Sequence, residues 1–289
     1  MATPMTADQF VAQLKKWGLK YVGVGNWRTH NRAGHGAWGG VNGFIWHHTG
    51  ATISAASAKT YAAGTLYNGR SDLPGPLCHA SIGLDGTVYL VGWGRTNHAG
   101  GGDPKVLQHV INEDYTGQLH PTKGNANGTD GNAHFYGVEI QYSGSKKMAP
   151  AQYEAALRLS AAILDHHGWT EKSVIGHGEW SNDKWDPGCA PGKIMDMVAV
   201  RADVKKTLAG NPPATDSSKE IDDMSATDIY KAVWDQDKLP APTRSTTVKS
   251  NPTWAPANAL RETYDRIAEL RDQLNHLTTL VETIAKKVG

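Results

Sequence analysis

Cysteine is almost absent: the 289 residues contain only Cys78 and Cys189. Two thiols permit at most one bridge, which excludes the disulfide framework of a small secreted domain and points to folding in a reducing compartment. An excess of charge of either sign is also missing. The 29 Lys and Arg residues against 28 Asp and Glu leave a formal net charge of +1. That balance excludes a broad basic surface for nucleic acid and an acidic solvating tail. No apolar run is long enough to span a bilayer. The N-terminus, MATPMTADQFVAQLKKWG, lacks the apolar core of a signal peptide. A chain with no nucleic-acid partner, no transmembrane segment and no signal peptide is therefore expected.

What is abundant is unevenly spread. The first two thirds are rich in Gly, Trp and His, whereas the segment after about Gly210 loses glycine and gains Pro, Thr and Asp before a closing helical pattern. The length exceeds that of one average domain. We divide the chain into a folded domain over 1–210, a Pro/Thr-rich linker with a short helix over 211–256, and a terminal helix over 257–289.

Within the first part, Thr6 and Gln9 form a capping-box pattern ahead of Phe10, Val11, Leu14 and Trp17, with Gly18 as the stop, which predicts a short amphipathic helix. The stretch GVGNWRTHNRAGHGAWGG has the composition of an ordered loop, NGFIWHHTG reads as a strand ending in two histidines, and SAASAKTYAAGTLYNG as a small-residue helix. LCHASIGLDGTVYLVGWG reads as a hairpin turning at Asp85-Gly86, and HFYGVEIQYSG as a further strand. PAQYEAALRLSAAILDHHG is a helix with Leu157, Ile163 and Leu164 on its apolar face, and SVIGHGEW is a short strand entering a loop. Strands interleaved with helices predict an α/β fold with polar residues gathered at strand ends.

Three positions have the chemistry of metal ligands: His47 at the end of the first apolar strand, His177 in VIGHGEW and Asp186 in KWDPG. Two neutral imidazoles and a carboxylate suit zinc and leave a fourth position for water, although other divalent ions accept the same donors. With 13 histidines in the chain, spacing alone does not separate such a site from ordinary strand-end histidines. Glu139, read by itself on an interior strand, suggests a buried salt bridge, and Lys184 a solvated side chain.

Three separated segments, FIWHHTG, then CHASIGLDGTVYLVGWGRTNHAG with YGVEIQYSG, then IGHGEWSNDKWDPG, resemble the zinc amidase family of phage amidase lysozymes, cell-wall recycling amidases and peptidoglycan recognition proteins. The resemblance covers roughly residues 40 to 195 in the family's order. It implies a mixed central β-sheet flanked by helices, with Zn2+ held by His47, His177 and Asp186 while His48 points elsewhere. Cys189, the rival ligand, follows Pro-Gly rather than preceding it. By the same resemblance Glu139 is the general base for zinc-activated water, Lys184 stabilises the tetrahedral oxyanion, and His98 binds substrate at the cleft. Cys78 stands where many phage and animal members carry a tyrosine, which places the chemistry nearer the recycling-type branch.

The implied activity is hydrolysis of the bond between N-acetylmuramic acid and L-alanine in bacterial peptidoglycan. Competing readings are a peptidoglycan-binding module without catalysis and a zinc peptidase cutting within the stem peptide. Beyond Pro256, Ile267, Leu270, Leu274, Leu277, Val281, Ile284 and Val288 alternate three and four residues apart, a coiled-coil seam that predicts a homo-oligomer through residues 267–288, or attachment to the wall. The same stripe also suits a helix folded back on the catalytic domain. A catalytic domain with a linker and tail, and no export signal, fits a phage endolysin held in the host cytoplasm until lysis and then acting on the cell wall.

Overall fold

The computed structural model describes residues 2–210, 239–241 and 253–288. The chain divides into two compact units, Met1–Asp216 and Ser217–Gly289. In the first, six short strands form one mixed sheet: β1 (Tyr21–Gly23), β2 (Gly43–His48), β3 (Ala80–Ile82), β4 (Val88–Leu90), β5 (Phe135–Ile140) and β6 (Val174–Gly176), in the order β1-β4-β3-β5-β2-β6. Only β3 and β4 run antiparallel, pairing Ala80 with Leu90 and Ile82 with Val88. Their turn uses Gly86 at φ +82°, a conformation that favours a residue without Cβ, while the Asp85 carboxylate accepts the Thr87 N–H at 3.0 Å.

Alternation along β2 and β5 sorts the two faces of the sheet. Phe44, Trp46, Tyr136, Val138 and Ile140 join the larger core with Phe10 and Leu14 of α1 (Ala7–Lys16). Ile45, Phe135 and Ile175 face the other way, against Val106, Leu107 and Val110 and against Trp180. Those partners lie on α3 (Pro104–Asn112) and α5 (His177–Trp180), following α2 (Ala58–Tyr61) in the chain. α4 (Pro150–His167) and α6 (Met197–Ala209) cover the first face, with Leu159, Ile163, Leu164, Val200 and Val204 all buried.

Local signals explain most of these elements. The capping box of α1 forms, the Thr6 hydroxyl accepting from Gln9 N–H and Gln9 Oε1 from Thr6 N–H. α4 ends at Gly168 in the left-handed region. Its buried side is wider than the expected stripe: Ala155, Ala156, Leu159 and Ala162 are enclosed while Leu157 is only partly so. β1, α3 and α6 arise in segments for which no element was expected, and VIGHGEW continues past β6 as a single helical turn rather than a loop.

That turn is anchored by a buried charge pair. Glu179 is 0% exposed and accepts Arg201 Nη1 at 2.8 Å and Nη2 at 3.0 Å, Leu119 N–H at 2.9 Å and Gly176 N–H at 3.1 Å. Four charge-assisted or backbone donors satisfy the carboxylate, as a buried ion requires. α5 is thereby fixed to α6 and to the end of β6.

In the second unit, Leu239–Pro240 pairs antiparallel with Thr253–Trp254, and α7 runs Pro256–Val288. The short helix expected before Pro240 lies outside the described residues. Along α7 the side chains of Ile267, Leu270, Leu274, Leu277, Val281 and Ile284 are exposed. No helix among the described residues is long and apolar enough to cross a membrane.

Candidate active site

Parallel pairing of β2 with β5 sets His47 directly opposite Glu139, so both side chains leave the same face of the sheet near the carboxyl ends of their strands. β6 lies on the other side of β2 and ends with Gly176 opposite Trp46. The chain then enters α5, which brings His177 beside His47. The loop after α5 returns Asp186 to the same point, secured by the Gly178 N–H donating to the Asp186 carbonyl at 2.8 Å.

The result is a triangle of donor atoms. His47 Nδ1 lies 2.9 Å from His177 Nδ1, and each is 3.1 Å from Asp186 Oδ2. Among the described residues this is the only group of three His, Cys, Asp or Glu side chains arranged to hold a metal ion. Four ligands around zinc at about 2.0–2.1 Å have edges of about 3.3 Å, so the triangle is close to one face of such a tetrahedron.

The outer nitrogens decide what the inner ones carry. His177 Nε2 lies 3.1 Å from the Ala99 carbonyl, and His98 Nε2 lies 3.2 Å from the Phe135 carbonyl. A carbonyl only accepts, so both nitrogens bear hydrogen and, in neutral rings, both Nδ1 atoms are bare lone pairs. His98 Nδ1 in turn accepts from His47 Nε2 at 3.0 Å, leaving His47 Nδ1 bare as well. Two lone pairs and a carboxylate oxygen at these separations repel one another unless a cation sits among them. The donor set therefore fits a divalent metal ion.

Electrostatics agree. Burial, then the neighbouring His177, lowers His47 to about 4, so it is neutral near pH 7. Burial works against the charge of Asp186, but His177 and His47 outweigh it and hold the carboxyl well below the usual range. Glu139 shifts the other way, well above the usual range, through burial and the nearby Asp186. Its Oε2 is buried without a hydrogen-bond partner, and Glu139 forms none of the salt bridges among the described residues.

A cleft of about 240 Å³ opens over the triangle, lined by His47, His177 and Asp186 and also by Glu139, Lys184, Tyr61 and Arg70. Lys184 is exposed at the rim. Tyr61, Thr65 and Leu66 reach the cleft from α2 and the π-helical turn Ala62–Leu66. Arg70 at the rim forks onto Asp72 at 2.6 and 3.0 Å. These three cleft-lining contributions, Tyr61, Thr65 and Arg70, had no motif in the sequence.

His48 stands outside the triangle, its Nδ1 accepting the Gly188 N–H at 2.9 Å, although it also lines the cleft. Cys189 approaches the Ile194 carbonyl rather than the triangle, and both cysteines are free. His79 accepts the Gly137 N–H at 3.0 Å and approaches the Gly94 carbonyl at 2.9 Å. His98 also lines the cleft; it is 8% exposed, with its Nδ1 accepting from His47 Nε2 at 3.0 Å and its Nε2 facing the Phe135 carbonyl at 3.2 Å.

A model of the N-acetylmuramoyl-L-alanine amidase family matches residues 37–189, more than half of the chain and every residue of the triangle. The chain belongs to that family. No curated protein matches it. Among solved structures, an endolysin N-acetylmuramoyl-L-alanine amidase, LysCS from Clostridium intestinale URNW, is 18% identical with a TM-score of 0.34, covering 59% of this chain and 88% of its own. PlyL is 14% identical with a TM-score of 0.41 over 67% and 98%. Drosophila peptidoglycan recognition protein SA is 17% identical with a TM-score of 0.36 over 54% and 79%. Likenesses this distant do not inform function, and membership of the amidase family rests on the matched region alone.

Buried neutral imidazoles in this amidase domain make its stability pH-dependent. His47 and His79 each fall from 6.5 to about 4, and His98 is also held well below its ordinary value, in each case first through burial. Between these values the unfolded chain binds more protons, so stability is fully present above about 6.5 and declines as pH drops toward about 4. His47 and His79 each contribute up to ~3 kcal/mol over that window, while Glu139 works in the opposite sense. Melting temperatures of the metal-free protein should fall steadily across this range; a constant value would contradict the assignment of buried neutral rings.

Proposed function

We propose that this amidase-family chain is a zinc-dependent N-acetylmuramoyl-L-alanine amidase, hydrolysing the amide between N-acetylmuramic acid and the L-alanine of the peptidoglycan stem peptide. The observation that carries this reading is the convergence of two bare imidazole nitrogens and a carboxylate oxygen within 3.1 Å of one another at the floor of a cleft. Zinc bound there supplies a Lewis acid for the scissile carbonyl and makes water a stronger acid at neutral pH.

The remaining work falls to the side chains of the chain itself. Glu139 faces the same cleft from the adjacent strand, with an unpartnered oxygen free to take the proton of the attacking water. Burial and the nearby Asp186 raise its pKa, which makes it a stronger base than an ordinary carboxylate, able to take that proton and then return it to the leaving amine. Lys184 at the rim places a positive charge for the oxyanion of the tetrahedral intermediate. Asp186 and His47 are kept in the charge states that ligation needs, carboxylate and neutral imidazole.

The biological role we propose is that of a phage endolysin, retained in the host cytoplasm until lysis and then acting on the cell wall. An amidase unit joined to a second unit with a long helix supports it. For α7 we propose self-association through the exposed seam, because six apolar side chains spaced three and four apart suit knobs-into-holes packing with a second copy. Light scattering should give an oligomer for the full chain and a monomer for the chain carrying Leu274→Asp and Val281→Asp; a monomeric unaltered chain would contradict this.

Digestion of purified peptidoglycan tests the enzymatic reading. Mass spectrometry should detect stem peptides with a free L-alanine amine, lost on chelation and restored by zinc. Glu139→Gln should lower the rate by about 10²–10⁴-fold while zinc content is unchanged. Shortened peptides would indicate a peptidase, binding without cleavage a recognition module, and full activity of Glu139→Gln would remove the general-base role.

A further inference from the structure

Both histidines of the triangle are oriented by one dipeptide. His98 offers its Nδ1 to His47 Nε2 at 3.0 Å, and Ala99 offers its carbonyl to His177 Nε2 at 3.1 Å. These residues belong to neither strand nor helix, so the regular ladder does not place them. Their backbone N–H groups converge instead on a single atom: Asn132 Oδ1 accepts from His98 and from Ala99, each at 2.8 Å.

Asn132 is itself tightly held. It is 6% exposed within the turn Gly131–Ala133, and its own N–H donates to Asp130 Oδ1 at 3.1 Å. The surroundings leave His98 one place to go. A Cβ at Gly137 would come within 2.2 Å of His98 Nδ1, so the ring occupies the space that a side chain there would fill. The next residue toward the site, Glu139, lies on the same strand, opposite His47. A two-donor clamp thus sits directly behind the ligand atoms without touching them.

We infer that Asn132 is a positioning residue for metal binding, fixing through His98 and Ala99 the ring orientation and the Nε2–H form of both His47 and His177. The inference rests on the proposal that the triangle holds zinc. The chemistry required of residue 132 is an acceptor with two accessible lone pairs at the reach of an Asn or Asp side chain. Loss of it frees the dipeptide, and with it the outer hydrogen bond of each histidine. Removal of such outer partners weakens metal binding by about 10–100-fold.

The test is zinc affinity of the full chain, measured by competition with a chromophoric chelator, together with imidazole nitrogen chemical shifts of the zinc-free protein. Asn132→Ala should weaken zinc by about 10–100-fold and disturb the nitrogen shifts of both His47 and His177. Asn132→Asp, which keeps the acceptor and the shape, should remain within about threefold of the unaltered protein, well short of the loss of an outer partner. His98→Phe should weaken zinc and disturb His47 but leave His177 with its Ala99 bond, and it serves equally if Asn132→Ala does not fold. Unchanged affinity and unchanged shifts in Asn132→Ala or His98→Phe would overturn the inference. If the unaltered protein bound no zinc, the metal reading would fall, while the nitrogen shifts would still decide whether Asn132 orients the two rings.

Discussion

Mutual repulsion of three electron-rich atoms is the constraint on which this structure turns. Two imidazole lone pairs and a carboxylate oxygen lie 2.9–3.1 Å apart in a largely buried position, and burying such a cluster is costly unless charge compensates it. Everything near the site resists the relaxation that would separate them. β2 brings His47 from an interior strand of the sheet, α5 brings His177 from the end of the adjacent edge strand, and the Gly178–Asp186 backbone bond returns the carboxylate. The Glu179–Arg201 pair fixes α5 to α6, so the large core on the opposite face of the sheet also serves the triangle.

The two faces of the sheet divide the labour. One face is apolar and covered by α1, α4 and α6, which gives β2 and β5 a rigid backing. The other carries Glu139 and His47 side by side, and the in-register pairing of their strands leaves little freedom in their separation. Sites held on strands in this way are more accurately preserved than sites on loops. Asp186 is the loop-borne exception, and it carries the added backbone bond to α5.

The candidate site residues were legible in the sequence through the three segments that resemble the amidase family, and the elements that carry them have local signals. His47 follows an apolar strand, Asp186 precedes Pro-Gly, and Glu139 stands in a short alternating run, so each could be assigned to an element before the elements were assembled. The hairpin at Asp85-Gly86 and the capping box at Thr6 and Gln9 are equally local. What escaped depends on contacts distant in the chain. β1 has three residues and owes its place to pairing with Val88–Leu90. α3 and α6 begin at Asp103 and Asp196, caps that carry little weight until the sheet gives their apolar faces a surface. Asn132 has no motif: the backbone groups its side chain accepts from lie more than thirty residues earlier. His98 was visible as a histidine near the site, but the carbonyl behind it, which turns its ring toward His47, was not.

The most direct test of this account is a zinc-edge anomalous difference map from crystals of the protein grown with one equivalent of zinc. The account requires a single strong peak between His47 Nδ1, His177 Nδ1 and Asp186 Oδ2, on the cleft side facing Glu139. A peak at Cys189 or on Nε2 of either histidine, or no ordered zinc at the triangle, would contradict it.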